Sequence, residues 1–282
     1  MRGSKSRGVF YYAMAAFFGL FVLFLYGPMF AIIVLSFQGP DGGLTFPMNG
    51  FSFHWFGDLF KEQRVGDFKG SFLRSFSLAL LVMILTVVIL LAAGLAYRKP
   101  FRFAGTIFYV TVASLIVPSI LITLGVGLIF DRLGLEAAWF TSGMGAHLTW
   151  TLPFGLLIMF AIFNRFDKSY EEAARDLGAT PWQVLRFVII PIIGPSLVGV
   201  GLFGFTLSFD EFARSLLSVG SKNTLPLEIF GMTTTVTTPT LYALGTLTTA
   251  VSFLIIGISF SIIAALERRR RRHGSDAGEG MV

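Results

Sequence analysis

Cysteine is absent from the 282 residues, which excludes a disulfide framework and any cysteine-held metal. Charge is nearly as scarce: Asp, Glu, Lys and Arg make up 13% of the chain, against about 25% in an ordinary soluble domain. None of the lysines follows a glycine. The chain therefore has no Gly-x-x-x-x-Gly-Lys-Ser/Thr loop to cradle phosphates, and is not expected to hydrolyse ATP or to hold a cofactor itself. His54, His147 and His273 lie apart, with no metal-site spacing, and no Ser/His/Asp or paired-carboxylate arrangement sits in a catalytic context. An enzyme acting alone is not expected.

What is present is apolar. Hydrophobic residues make up 54% of the chain and the mean hydropathy is +0.75. A helix crosses the roughly 30 Å hydrocarbon core with about 20 apolar residues. Uncharged runs of that length occupy Val9–Leu35, Ser75–Tyr97, Phe103–Phe130, Ala137–Phe163, Phe187–Phe209 and Ile229–Leu266. The last is too long for one span and rich in Thr from Met232 to Thr240, so its helix is expected to start near Leu241. Backbone groups in lipid must be satisfied within the segment, which helices do. The expected fold is an all-α integral membrane protein of six transmembrane helices, with residues 1–266 forming one transmembrane domain. The first run follows Arg2, Lys5 and Arg7 but is far longer than a signal-peptide core, so it is expected to be retained as a span.

Lys and Arg accumulate on the cytoplasmic side of spans. With both termini inside, the inner segments hold Arg2, Lys5, Arg7, Arg98, Lys99, Arg102, Arg165, Lys168, Arg175, Arg186 and the run Arg268–Arg272. The outer ones hold only Lys61, Arg64, Lys69, Arg74, Arg132, Arg214 and Lys222. The basic pI, near 9.8, is thus explained by topology and lipid contact rather than by nucleic acid. Residues 267–282 are expected to be a basic, disordered cytoplasmic tail.

One inner segment, 164–190, is much longer than a helix connection needs to be. Ser169 with Glu172 has the spacing of a capping box that starts a helix, and Gly178 supplies a left-handed residue to end it. Thr180 with Gln183 repeats the box, with Pro181 in the first helical position. Two short helices, bent at Gly178, are expected. Ala173 and Ala174 offer a low-relief patch, and Glu171 and Glu172 offer charge to a partner's arginines.

Glu172-Ala173-Ala174, three residues, Gly178, nine residues, then Val188-x-Ile190-Pro191 resembles the EAA loop of permeases from bacterial binding-protein-dependent ABC importers. The resemblance extends to Phe51-Ser52-Phe53-His54-Trp55-Phe56, His147-x-Thr149-x-x-x-Pro153-Phe154, Thr206-Leu207-Ser208-Phe209-Asp210-Glu211-Phe212 and Leu225-Pro226-Leu227, which are similar to segments of spermidine/putrescine-type permeases. It implies a type I importer fold in the bacterial cytoplasmic (inner) membrane and a second, homologous permease. It also implies two ATPase subunits that bind ATP and Mg, and a periplasmic solute-binding protein. Glu171, Glu172, Ala173, Ala174, Leu177 and Gly178 would carry the ATPase contact, and the solute would be a polyamine or related small organic cation. Val188 and Ile190 depart mildly from the family's Ile-x-Leu-Pro, and one departure matters: many polyamine permeases have an acid directly after the third-span proline, where Pro118 is here followed by Ser119.

Candidate pathway residues are Asp210, Glu211, Ser208, Pro118 and His147. Ionisable groups in or near a span are costly and tend to face a cavity, although Asp210 and Glu211 would equally cap the fifth span in water, and His147 fits a hydrogen-bonded packing residue better than a ligand. Two other functions compete. An ion-gradient-driven secondary transporter would show inverted repeats, and none is evident. An ABC importer for another small solute, such as an amino-acid derivative, would keep the same architecture.

Overall fold

The first apolar run forms α1 (Val9–Leu35), apolar on every side and exposed along nearly its whole length. A helix hydrophobic all round is at home in lipid, not water. The structure, a computed structural model, describes residues 8–61, 66–235 and 238–276. Arg2, Lys5, Arg7 and Arg64 lie outside the described residues. After α1 come α2 (His54–Asp58), α3 (Phe68–Tyr97), α4 (Ala104–Ala113), α5 (Ser119–Arg132), α6 (Met144–Asn164), α7 (Ser169–Asp176), α8 (Pro181–Val184), α9 (Ile190–Phe209), α10 (Leu225–Thr235) and α11 (Thr240–Asp276). Wide π-type turns at Trp139–Gly143 and Leu185–Ile189 lead into α6 and α9. Among the described residues there is no strand; Gln38 and Phe51 form an isolated bridge.

Among the described residues, five helices are long and apolar enough to cross a membrane: Val9–Leu35, Phe68–Tyr97, Trp139–Asn164, Pro181–Phe209 and Thr240–Ile262. The third predicted run is different. It is broken into α4 and α5, because the chain turns at residues 114–118 and Pro118 brings no N–H to continue the ladder. The Ser114 hydroxyl takes up the slack by donating to the Thr111 carbonyl at 2.7 Å. Pro153, by contrast, lies inside α6 without ending it. The tail also departs from expectation. It stays helical to Asp276, since arginine is a good helix former and its charge suits a helix C-terminus; residues 277–282 lie outside the described residues.

The chain groups into two compact units. In the unit made of 1–66 and 231–251, the loop after α1 wraps around buried Gln38. Its Oε1 accepts the Asn49 N–H at 2.7 Å, and its carbonyl accepts the Trp55 indole N–H at 2.9 Å. The Tyr242 hydroxyl donates to the Leu44 carbonyl at 2.9 Å.

In the unit made of 67–230 and 252–282, α3, α6 and α9 pack on one another. Small residues permit the approach. A Cβ on Gly201 would lie 3.0 Å from Val87 Cγ2, and one on Gly204 would lie 3.4 Å from Thr86 Cγ2. The buried Thr86 and Thr151 hydroxyls bond at 2.8 Å between α3 and α6. Leu90, Leu156, Met159, Phe166, Val184, Ile189, Ile193, Leu197 and Val200 form the core.

Asp67 caps α3, its Oδ1 accepting the Gly70 N–H at 2.8 Å, and Arg74 stands 3.1 Å from the other oxygen. The Gly70 bond chiefly, with help from Arg74 and against a smaller desolvation effect, holds the Asp67 carboxyl below its ordinary pKa. A carboxylate whose folded pKa is depressed stabilises the fold above its unfolded pKa, and that contribution is lost as pH falls through the folded value. Asp67→Ala should therefore cost about 1 kcal/mol near neutrality. Thermal unfolding in detergent should show the gap between wild type and variant closing as the pH drops below the ordinary carboxylate range; a gap independent of pH would refute the cap's ionic character.

Candidate functional site

The segment 164–190 folds as a bent pair of helices. Its first start signal is not the expected one: the Ser169 side chain makes no cap, and α7 opens instead on Asp167, whose Oδ1 accepts the Ser169 N–H at 2.9 Å. That bond, followed by the Ser169 side chain, lowers the Asp167 pKa against weak desolvation. Asp167 lies two residues before Ser169 and reaches the same donor with a shorter, charged side chain, so Glu172 is left free. The stop signal holds. Gly178 has φ +84°, the Gly178 N–H bonds to the Arg175 carbonyl at 2.8 Å, and the Ala179 N–H bonds to the Ala174 carbonyl at 3.0 Å, the paired closure of a left-handed helix end. The second capping box is complete: the Thr180 N–H donates to Gln183 Oε1 at 2.7 Å, and the Gln183 N–H donates to Thr180 Oγ1 at 3.3 Å. From Pro181 the helix continues into α9 as one membrane-length element, Pro181–Phe209.

Val184 and Ile189 bury themselves in the core, and Ala174 and Ala179 pack against it. The outward face carries Glu172, Ala173, Gly178 and Trp182, with Leu177 90% exposed. Glu171 does not join them, which corrects the expectation of two outward glutamates. Only 6% exposed, it pairs with Arg98 Nη2 at 2.5 Å and with Arg175 Nη2 at 3.4 Å. The reason is long-range: Arg98, the C-cap of α3, lies with its guanidinium 5.2 Å and 5.4 Å from the Phe163 and Phe166 ring centres, and this half-buried cation draws the nearest carboxylate inward.

A second polar group surrounds the candidate pathway residues. His147 is buried, one ring nitrogen 2.8 Å from Ser208 Oγ and the other 3.0 Å from Ser215 Oγ. Both its nitrogens are therefore occupied by the fold. Arg214, which sequence reasoning placed among the outer topology charges, is fully buried. Its Nη1 donates to Ser119 Oγ at 2.8 Å, its Nε donates to Thr149 Oγ1 at 3.2 Å, and its guanidinium lies 4.4 Å from the Trp150 ring centre. Glu211 Oε1 accepts the Arg214 N–H at 2.9 Å and lies 3.9 Å from Nη1. Arg214 thus bridges the start of α5, beside Pro118, to α6 and to the turn after α9. The spacing Glu211–Arg214, an acid three residues before a base, was the one sequence signal of this hub. Asp210 stands apart as the exposed end of α9, its carboxyl pushed above the ordinary pKa by partial desolvation. The structure gathers Ser208, His147, Glu211 and the residue next to Pro118 into one cluster and leaves Asp210 outside it.

Residues 86–273 match the profile of the binding-protein-dependent transport system inner membrane component. The chain belongs to that family. A relative from Haemophilus influenzae, the spermidine/putrescine transport system permease protein PotC, is 30% identical over 264 residues, covering 92% of this chain and 97% of the relative. The putrescine transport system permease protein PotI of Escherichia coli is 28% identical over 265 residues, covering 91% and 92%. A solved bacterial ABC transporter that imports the acidic polysaccharide alginate has a chain of similar fold, with a TM-score of 0.64, 20% identity and coverage of 94% and 99%. This inner-membrane component is a transport permease by family, and the bent segment and the Arg214 hub both fall within the matched region.

Removing the hub's cation takes the guanidinium donors from Ser119 Oγ and Thr149 Oγ1 and the positive charge from beside Glu211, which keeps its bond from the residue-214 backbone N–H. Arg214→Met should lower stability by about 1–3 kcal/mol, read as a fall in the melting temperature of the purified permease; an unchanged melting temperature would show that the buried guanidinium is not holding α5 to α6.

Proposed function

We propose that this chain is the membrane-spanning permease subunit of an ATP-driven importer, crossing the membrane six times with both termini cytoplasmic. Besides the five long helices, the remaining span, third in the chain, is the interrupted pair α4–α5. At about 1.5 Å per residue these helices add roughly 15 Å and 21 Å, enough together for the hydrocarbon core, and the excess of Lys and Arg in the inner segments supports the orientation. The chain pairs with a second, homologous permease, receives solute from a periplasmic binding protein, and meets two separate ATPase subunits that bind ATP and Mg. It holds neither itself.

The observation that carries this reading is the exposed knob Glu172, Ala173, Leu177 and Gly178. Leu177 is bare of any covering within the chain, yet the helix behind it is pinned by a complete capping box and a buried core. Such a rigid apolar and acidic protrusion fits a cleft on a soluble partner. Closure of the ATPase pair on ATP would move the knob, and with it the continuous helix Pro181–Phe209, shifting the balance between inward-open and outward-open states.

The solute is a polyamine or related small organic cation, on the strength of the relatives' names. One observation favours the second reading, an amino-acid derivative: a fixed buried cation, Arg214, lies on Ser119, directly after the proline of the broken span.

Glu172→Lys and Gly178→Asp should each cut ATP-dependent uptake about tenfold or more and strip the ATPase from the purified permease, the loss expected for an interface hot spot. Normal uptake in both would reject the docking role. Competition between labelled spermidine and unlabelled amines or amino acids, measured in cells carrying the whole transporter, separates the two solute classes. Inhibition by amines alone supports the first reading, and inhibition by carboxylate-bearing solutes supports the second.

A further inference from the structure

The coupling segment is joined to the rest of the permease in two places, and only one of them is along the chain. At its far end α7 reaches α8 through Gly178, a single left-handed residue with open space around its Cα. A four-residue connection, 177–180, whose direction is set by one such residue is a natural pivot. Between α7 and α8 on one side and the end of α3 on the other lies a cleft of about 530 Å³, lined by Leu95, Arg98, Glu171, Val184, Leu185 and Ile189 among others. Force applied to Leu177 alone would rock α7 into that space and leave the spans where they were.

The Arg98–Glu171 pair prevents this. Glu171 lies in the first turn of α7, and Arg98 is the C-cap of α3. Each charge therefore sits at the helix end whose partial charge favours it. The carboxylate is buried and the guanidinium is wedged against Phe163, in the last turn of α6, and Phe166 just beyond it, so the fold encloses the pair. Separating α7 from α3 would strand a buried charge, which is strongly unfavourable. Arg175 adds a second, largely exposed cation at 3.4 Å. We propose that Arg98 and Glu171 form a latch that makes α3 move with the coupling helix, so that the stroke of the ATPase enters the membrane through two spans, α9 along the chain and α3 through the ion pair. Arg98 and Glu171 are positioning residues: they touch neither solute nor nucleotide.

The inference rests on the reading of residues 169–178 as the ATPase-docking segment, and the test separates the two. The complete importer is reconstituted in liposomes with its permease carrying Arg98→Gln, Glu171→Gln, or the pair Arg98→Cys/Glu171→Cys. Three quantities are measured: ATPase subunits retained on purification, ATP hydrolysed, and solute taken up per ATP. The latch predicts retained ATPase and continued hydrolysis, with uptake per ATP falling about fivefold or more in each variant. Glu171→Gln, which removes the partner of both arginines, should fall further than Arg98→Gln. The chain has no cysteine of its own, so a bifunctional thiol reagent about as long as the two lost side chains can tie positions 98 and 171 in the double variant. That tie should restore uptake per ATP, while each single-cysteine variant treated alike stays low. Wild-type uptake per ATP in the glutamine variants, or no recovery in the tied protein, would overturn the latch. Loss of the ATPase from the glutamine variants would also overturn it, making Glu171 a docking or folding residue. Failure of the wild-type permease to retain any ATPase would instead sink the docking reading itself.

Discussion

The helix that begins at Pro181 does not stop at the edge of the membrane-length segment but runs through it to Phe209. Its first turn is fixed by the Thr180–Gln183 capping box, and Val184 and Ile189 lock it into the core shared with α3 and α6. A capped turn continuous with a span transmits displacement into it, provided the pivot at Gly178 is kept from absorbing the motion first. The exposed face of α7, the open Gly178 and the ion pair to α3 matter only because this continuity gives them something to move.

The buried polar groups obey the same economy of partners. A polar atom inside a membrane protein has few partners to choose from, so its hydrogen bonds decide which elements stay together. His147 joins α6 to Ser208 of α9 and to Ser215 in the turn that follows, and Arg214 joins that turn to α5 and α6. Ser119, at the start of the second half of the interrupted pair α4–α5, is held by a guanidinium.

Much of this was legible in the sequence. The apolar runs located α1, α3, α6, α9 and, within a residue, the start of α11. Gly178 and the Thr180–Gln183 box were read correctly because their partners lie three to five residues away, within the range of local backbone geometry. The misses share a cause of the opposite kind. Glu171 was expected to face outward because nothing nearby in the chain shows that Arg98, on another helix, will claim it. Arg214 was taken for a surface cation because its partners, Ser119, Thr149 and Trp150, come from two other helices. Ser169 lost its cap to Asp167, a competition between neighbours that a motif spacing alone does not resolve. The break at Pro118 had a visible cause, yet whether a proline ends a helix or is carried within it, as Pro153 is in α6, depends on what the neighbouring helices offer the freed groups.

The central claim is that the bent segment faces the cytosol and is covered there by a separate motor. A single cysteine introduced by Leu177→Cys into this cysteine-free chain can be tested with a membrane-impermeant thiol reagent, using inside-out and right-side-out vesicles with and without the ATPase subunits. Labelling should occur only in inside-out vesicles and should be blocked when the ATPase is bound. Labelling from the periplasmic face, or undiminished labelling in the presence of the ATPase, would contradict it.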